Sequence, residues 1–208
     1  MKTKLGSDKT QKSTHQSLTK PFGKKFMSFV LCICMLTAML SAMPINAFAA
    51  TSGTCGDNLT WTLDDEGTLI ISGTGDMWDW SWNNELWYNT SESIKTVIIQ
   101  NGVTSIGDSV FRCCRSLTSV TIPNSVTSIG NSAFYDCESL TSINIPNGVT
   151  SIGESAFGDC KSLASITIPN GVTFIGDNAF LWCNKLTDIN IDEENPYFYS
   201  KDGLIVKK

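Results

Sequence analysis

The chain has 208 residues, with 15 Lys and Arg against 20 Asp and Glu, one His, eight Cys and a formal net charge of −5. Residues 1 to 49 hold seven of the lysines and one aspartate, so the rest carries 8 basic and 19 acidic residues, a formal charge of −11. A surface that acidic repels nucleic acid and anionic lipid. The lone His15 also falls in the first 49 residues, which removes Ser-His-Asp and Cys-His catalysis from residues 50 to 208.

In chain order, the lysines from Lys2 to Lys25 lead into the apolar run Phe26 to Ala42, and Ala47-Phe48-Ala49 provides a small-residue exit. That order is the pattern of a secretory signal peptide. The run approaches the length of a membrane span, but the exit selects cleavage, placed after Ala49. Cys32 and Cys34 lack the small residues of a lipoprotein box ahead of them. The expectation is an exported product of about 159 residues, one domain in size, with no membrane segment in its mature form.

Leu59 to Leu63 and Thr68 to Ser72 flank Asp64-Asp65-Glu66-Gly67 and predict a β-hairpin. Behind it comes DMWDWSWNNELWY, Asp76 to Tyr88. In an extended segment the alternating Trp78, Trp80 and Trp82 share one face, a row able to stack on sugar rings or anchor a protein. The same residues, with Trp61, Trp87 and Tyr88, are equally suited to seal the end of a repeat stack. Residues 50 to 93 are accordingly assigned as a hairpin and Trp-rich cap.

Residues 94 to 191 repeat with a period of 23: LTSVTIPNSVTSIGNSAFYDCES (117 to 139), LTSINIPNGVTSIGESAFGDCKS (140 to 162) and LASITIPNGVTFIGDNAFLWCNK (163 to 185). A looser copy occupies 94 to 116, and LTDINI (186 to 191) opens a fifth that breaks off. In each copy Leu117, Val120 and Ile122 (or their equivalents) point inward while Ser119 and Thr121 alternate outward, as in a half-buried strand. Pro123 and Asn124 turn the chain; Val126 and Ile129 return it to the core. Ala133 and Phe134 then form an apolar step on a short helical turn closed by Cys137. About seven large side chains per coil, at roughly 1.5 to 3 kcal/mol each, do not offset the backbone entropy of 23 ordered residues at roughly 1 to 2 kcal/mol each. One coil therefore cannot fold alone, and the predicted fold is a short leucine-rich repeat solenoid of four full coils and one partial, built of parallel strands and short helical turns. Residues 192 to 208, with Lys201-Asp202-Gly203 at their centre, predict a second capping hairpin.

No catalytic, cofactor or metal site emerges. Cys114, Cys137, Cys160 and Cys183 recur every 23 residues and are expected to stack as small buried thiols, leaving Cys55 and Cys113 as the candidates for oxidised or reactive thiols. Glycoside hydrolysis needs only a carboxylate pair, but Asp108, Glu154 and Asp177 share their repeat position with Asn131 and are expected to be solvated. Two further surfaces are candidates for binding. One is the outward strand strip, Ser119, Thr121, Ser142, Asn144, Ser165 and Thr167, preceded by Thr96 and Ile98. The other is Phe174, Leu181 and Trp182, which stand where the previous copy has Ser151, Gly158 and Asp159; they either dock the C-terminal hairpin or form an exposed contact patch.

The frame L-x-x-I-x-I-P-x-x-V-x-x-I-G-x-x-A-F-x-x-C, with the entry segment Gly53 to Leu63 and Gly67 to Met77, resembles the BspA-like leucine-rich repeat family of bacterial surface proteins. The resemblance covers nearly all of residues 53 to 208. It implies a secreted or surface-bound, non-catalytic adhesion or recognition module whose partner is a host or bacterial surface protein or glycan. The chain departs from larger members in having few repeats and no wall-anchoring domain. Two other roles fit the same residues: a structural protein whose coils self-associate, and a carbohydrate-binding module using Trp78, Trp80 and Trp82.

Overall fold

A computed structural model describes residues 51–81, 86–87 and 89–208, all within the compact unit Ala47–Lys208. The expected signal peptide, Trp82 and Tyr88 lie outside the described residues. The strands are Thr51–Gly56 (β1), Leu59–Leu63 (β2), Thr68–Gly73 (β3), Gly75–Asp76 (β4), Thr96–Ile99 (β5), Val103–Ile106 (β6), Ser119–Thr121 (β7), Ser128–Ile129 (β8), Ser142–Asn144 (β9), Ser151–Ile152 (β10), Ser165–Ile168 (β11), Phe174–Ile175 (β12), Asp188–Ile191 (β13), Phe198–Lys201 (β14) and Leu204–Lys207 (β15). The helical content among the described residues is one 3-10 turn, Ser91–Ser93.

These strands form a β-solenoid whose coils have three legs. The first leg builds a parallel wall, β3-β5-β7, which continues beside β7 as β9-β11-β13. The second leg builds an unbroken parallel wall, β4-β6-β8-β10-β12. Equivalent residues lie opposite one another, Val97 against Val120, Ile143 against Ile166 and Ile129 against Ile152, so the 23-residue period is the registration of the walls. The parallel stack includes β3 and β4, ahead of the first repeat copy. On its outer side β2 pairs antiparallel with β3, as the hairpin reading predicts, and β1 adds an edge strand on β2.

The third leg differs in detail from the short helical turn expected there. It keeps the i to i−3 bonds of such a turn, Ala133 N to Gly130 O at 3.4 Å and Tyr135 N to Ser132 O at 3.1 Å. Left-handed residues, Ser132 (φ 52) and Asp136 (φ 61), interrupt it and recur in each coil as Ser109 and Cys113, Ser155 and Asp159, Asn178 and Trp182. This path frees alternate N–H groups to reach the next coil: Ser132 to Glu154 O, Phe134 to Ala156 O and Asp136 to Gly158 O, at 2.8 to 2.9 Å. A third set of coil-to-coil bonds thus compensates backbone conformations that cost of order 1–3 kcal/mol each. The Gly before this leg is required by closeness of the coils, since a Cβ on Gly153 would lie 2.6 Å from Asn131 N.

Through the centre runs an aromatic column. Phe111, Phe134, Phe157 and Phe180 stack at centroid separations of 5.2, 5.4 and 5.6 Å. Trp87, 2% exposed, continues it parallel to Phe111 at 6.4 Å, and Trp61 closes it edge-on at 4.8 Å. The buried indole N–H groups of Trp61 and Trp87 find no acceptor among the described residues, so both residues serve by apolar area alone. At the other end β14 and β15 form the expected hairpin, turning at Asp202 (φ 51) and Gly203 (φ 74). It is fixed by Asn195, fully buried, whose Nδ2 donates to Pro169 O and Val172 O while its Oδ1 accepts from Tyr197 N and Phe198 N, all at 2.9–3.0 Å.

Two stability measurements check this picture by denaturant unfolding. Trp87→Ala removes a column member and is expected to cost about 3–5 kcal/mol, whereas Trp87→Phe, the residue of every other rung, costs less than half of that. Asn195→Ala strands four main-chain groups and is expected to cost at least about 3 kcal/mol, at roughly 1–3 kcal/mol for each buried group left unpaired.

Candidate functional site

The strand strip is a built surface. Parallel pairing sets Thr96 beside Ser119 and Ile98 beside Thr121, then Ser142 beside Ser165 and Asn144 beside Thr167. Ser119, Thr121, Ser142, Asn144 and Thr167 are exposed and Ser165 is half-buried. At the carboxyl ends of β5, β7 and β9 the strip runs into a groove of about 720 Å³, within the 300–1,000 Å³ range of ligand sites. Thr121 and Asn144 line it together with Gln100, Asn101, Asn124 and Pro123, and every lining residue is uncharged. Amides, hydroxyls and prolines in a neutral groove on an acidic chain suit an uncharged, hydrogen-bonding ligand. Sequence reasoning assigned Asn124 to turn chemistry alone; the recurrence of Asn101, Asn124, Asn147 and Asn170 at one repeat position was the available signal.

The tryptophans divide. Trp78 is 41% exposed, and its Nε1 donates to Asp57 Oδ1 at 3.0 Å. Trp80 packs partly buried against the core, its own N–H bonded to Asp108 O at 2.8 Å. The structure does not bring these two into one described groove with Thr121 or Asn144. Phe174 is 57% exposed over Ser151 and Gly153 on the second wall, beside a cavity of about 230 Å³. Trp182 is 58% exposed and holds a left-handed backbone (φ 62) at a place where two preceding coils have Asp136 and Asp159.

The carboxylates expected to be merely solvated also stitch coils together. Asp108 accepts from Asn131 N at 2.6 Å and from its Nδ2 at 3.0 Å, and Asn131 Oδ1 accepts from Glu154 N at 2.8 Å. Asp79 begins the series by accepting from Asp108 N at 2.8 Å. On the third leg Arg115 bonds Asp136 at 2.7 Å and Lys161 bonds Glu138 at 2.9 Å. Among the described residues no three His, Cys, Asp or Glu side chains converge as metal ligands.

The thiol column lies where the repeat puts it. Cys137, Cys160 and Cys183 donate to Phe111 O, Phe134 O and Phe157 O at 3.2, 3.2 and 3.0 Å. Burial raises all three thiols, Cys183 to about 11 and Cys137 and Cys160 further. Cys55, one of the two thiols singled out as reactive, is fully buried and burial pushes it to about 11, so the structure corrects that expectation: a neutral thiol out of solvent is a poor nucleophile.

The profile of the BspA type leucine rich repeat region matches residues 81–201 in six copies. Among solved structures, a leucine-rich repeat protein from Eubacterium ventriosum is 28% identical with a TM-score of 0.62, over 77% of this chain and 49% of that one. A leucine rich cell surface protein from Faecalibacterium prausnitzii is 26% identical with a TM-score of 0.51, over 66% of this chain and 39% of that one. The T. pallidum leucine rich repeat protein, 24% identical with a TM-score of 0.53 over 65% of this chain and 70% of that one, shares the fold. The chain thus spans about half the length of the first of these and less of the second. No curated protein matches it. No helix among the described residues is long and apolar enough to cross a membrane.

Thiol chemistry gives a direct check. At pH 8 iodoacetamide should leave Cys55, Cys137 and Cys160 unmodified in the folded chain and alkylate all three after denaturation, read by peptide mass spectrometry. Because these folded thiols hold their protons above the ordinary value near 9.0, they favour the folded state fully below pH 9. That contribution should be lost as pH rises from 9 through about 11, seen as a falling denaturant midpoint.

Proposed function

Since the chain belongs to the BspA-type leucine-rich repeat family, we propose that it is a non-catalytic recognition module acting outside the cell or at its surface, in adhesion to a host or bacterial surface protein or glycan. The observation that carries this reading is the uncharged groove of Thr121, Asn144, Gln100, Asn101, Asn124 and Pro123 at the edge of the strand strip. Its opening between coils follows the strands, so an extended ligand lying across them meets one polar position per coil. The charge on the rest of the chain keeps anionic competitors away and adds nothing to the affinity for a neutral ligand. The lining includes Ile98, Ile99 and Ile122 but no aromatic ring, which favours a polypeptide over a sugar stacked on a ring.

The likeness to a protein described as a leucine rich cell surface protein supports the location, and the lysine-led apolar leader supports export. The test is saturable binding of the chain to immobilised extracellular-matrix proteins and to a glycan array, compared with Thr121→Arg and Asn144→Arg. Both positions are exposed, so the variants should keep wild-type unfolding midpoints and lose binding at least about tenfold, the size of a contact worth about 1.4 kcal/mol. Binding that survives both variants unchanged places recognition elsewhere on the solenoid.

A further inference from the structure

The last coil is where the repeat loses its cover. In the third copy Ile152, Phe157, Cys160, Leu163 and Ile166 are buried, while their counterparts Ile175, Phe180, Cys183, Leu186 and Ile189 are only partly so. The C-terminal hairpin closes one side of this end by inserting Phe198. Beside it stays a groove of about 560 Å³ between Phe180, Leu181 and Leu186 on the coil and Leu204 and Ile205 on the hairpin.

Main-chain groups on the same face are unpaired in a defined pattern. At the preceding junction the third leg donates forward, Ser155 N to Asp177 O at 3.0 Å, Phe157 N to Ala179 O at 2.8 Å and Asp159 N to Leu181 O at 2.7 Å. The equivalent donors of the last coil, Asn178 N, Phe180 N and Trp182 N, meet no acceptor among the described residues. The second leg is the complement. Thr150 O and Ile152 O accept from Thr173 N and Gly176 N at 2.8 Å, but Thr173 O and Ile175 O accept nothing among the described residues. One face therefore presents a donor row next to an acceptor row, the open edge that proteins normally cover.

Side chains on this face change in the same direction. Trp182 and Leu181 replace Asp159 and Gly158, and Leu204 of the hairpin is 67% exposed. A left-handed Trp is strained where Asp tolerates the conformation, and nothing inside this chain buries it in return.

We propose that this end face is an interface between two copies of the chain, joined tail to tail about a two-fold axis. The donor leg of each copy meets the acceptor leg of the other, which a face carrying both rows allows and a face carrying one does not. Phe180, Leu181, Trp182 and Leu204 are then covered. Head-to-tail stacking is disfavoured because Trp61 and Trp87 already close the opposite end. The inference is independent of the neutral groove, which lies at β5, β7 and β9.

The test is sedimentation equilibrium of the chain from about 5 to 500 µM, with amide hydrogen exchange across the same range; a small interface of this kind falls among weak, transient contacts. The expected result is reversible dimer formation, with the amides of Asn178, Phe180 and Trp182 gaining protection as concentration rises and those of Ser155, Phe157 and Asp159 protected throughout. The double variant Trp182→Asp, Leu204→Asp should raise the dimer Kd by about 30-fold or more, a loss expected when central apolar contacts are removed. Asp is the residue of the preceding coils at the first site and the second is exposed, so its unfolding midpoint should match wild type. A wild-type chain that stays monomeric to the highest concentration overturns the proposal and leaves the face to a strand of another protein. A dimer whose Kd is unchanged in the double variant overturns it as well.

Discussion

Everything in this molecule depends on each coil being completed by the next. A single 23-residue turn of chain has three legs, and each leg leaves its main-chain groups pointing along the stack axis, where only an identical leg 23 residues away can meet them. The requirement explains side chains as well as backbone. A Phe must sit over a Phe for the column to close at 5.2 to 5.6 Å. The thiol position must be small and must hand its proton to the carbonyl of the preceding coil's Phe. Exposed Thr127, Thr150 and Thr173 each donate their hydroxyl back to the Thr one coil earlier. Such interactions are individually modest, around 1 kcal/mol net for a hydrogen bond, and they act once per junction, so stability accrues coil by coil.

That constraint also decides what was legible in the sequence. The strands, their inward residues and both hairpins follow from alternation and period, because a residue's place in the repeat is its place in the stack. The left-handed positions were not legible: Ser132 and Asp136 look like ordinary turn residues, and only the stacked structure shows that they release forward-pointing N–H groups. Asn195 was equally hidden, since its importance lies in the four groups it reaches, two of them at Pro169 and Val172, over 20 residues away. Strand β1 was missed because TSGTCG carries no apolar alternation to announce it.

For the candidate surfaces the same rule works in part. Ser119, Thr121, Ser142, Asn144 and Thr167 point outward as alternation requires, but the groove at their ends is completed by turn residues whose sequence already had a sufficient local explanation. The Trp-rich stretch shows the opposite failure. Local alternation puts Trp78 and Trp80 on one face, yet Trp80 is held by Asp108 and packs against the core, while Trp78 is tied by its indole to Asp57. The tryptophans that close the column, Trp61 and Trp87, lie outside the alternating row.

The two ends of the stack solve one problem unequally. At the first end two indoles, an edge strand and the Trp80 N–H bond to Asp108 O cover both the apolar layer and part of its main chain. At the second, the hairpin brings one deeply inserted ring, Phe198, and a buried Asn that binds the first turn of the coil, leaving the second and third legs open. The ion pairs of the third leg stop in step with that opening: Arg115 with Asp136 and Lys161 with Glu138 join successive coils, but the equivalent positions of the last coil hold Asn184 and Trp182. Replacing a charge by a large ring at the margin of an uncovered layer lowers the cost of removing that margin from water while raising the cost of leaving it exposed. The chain thus combines an acidic, internally paired flank with one apolar end, and that end is where burial has most left to contribute.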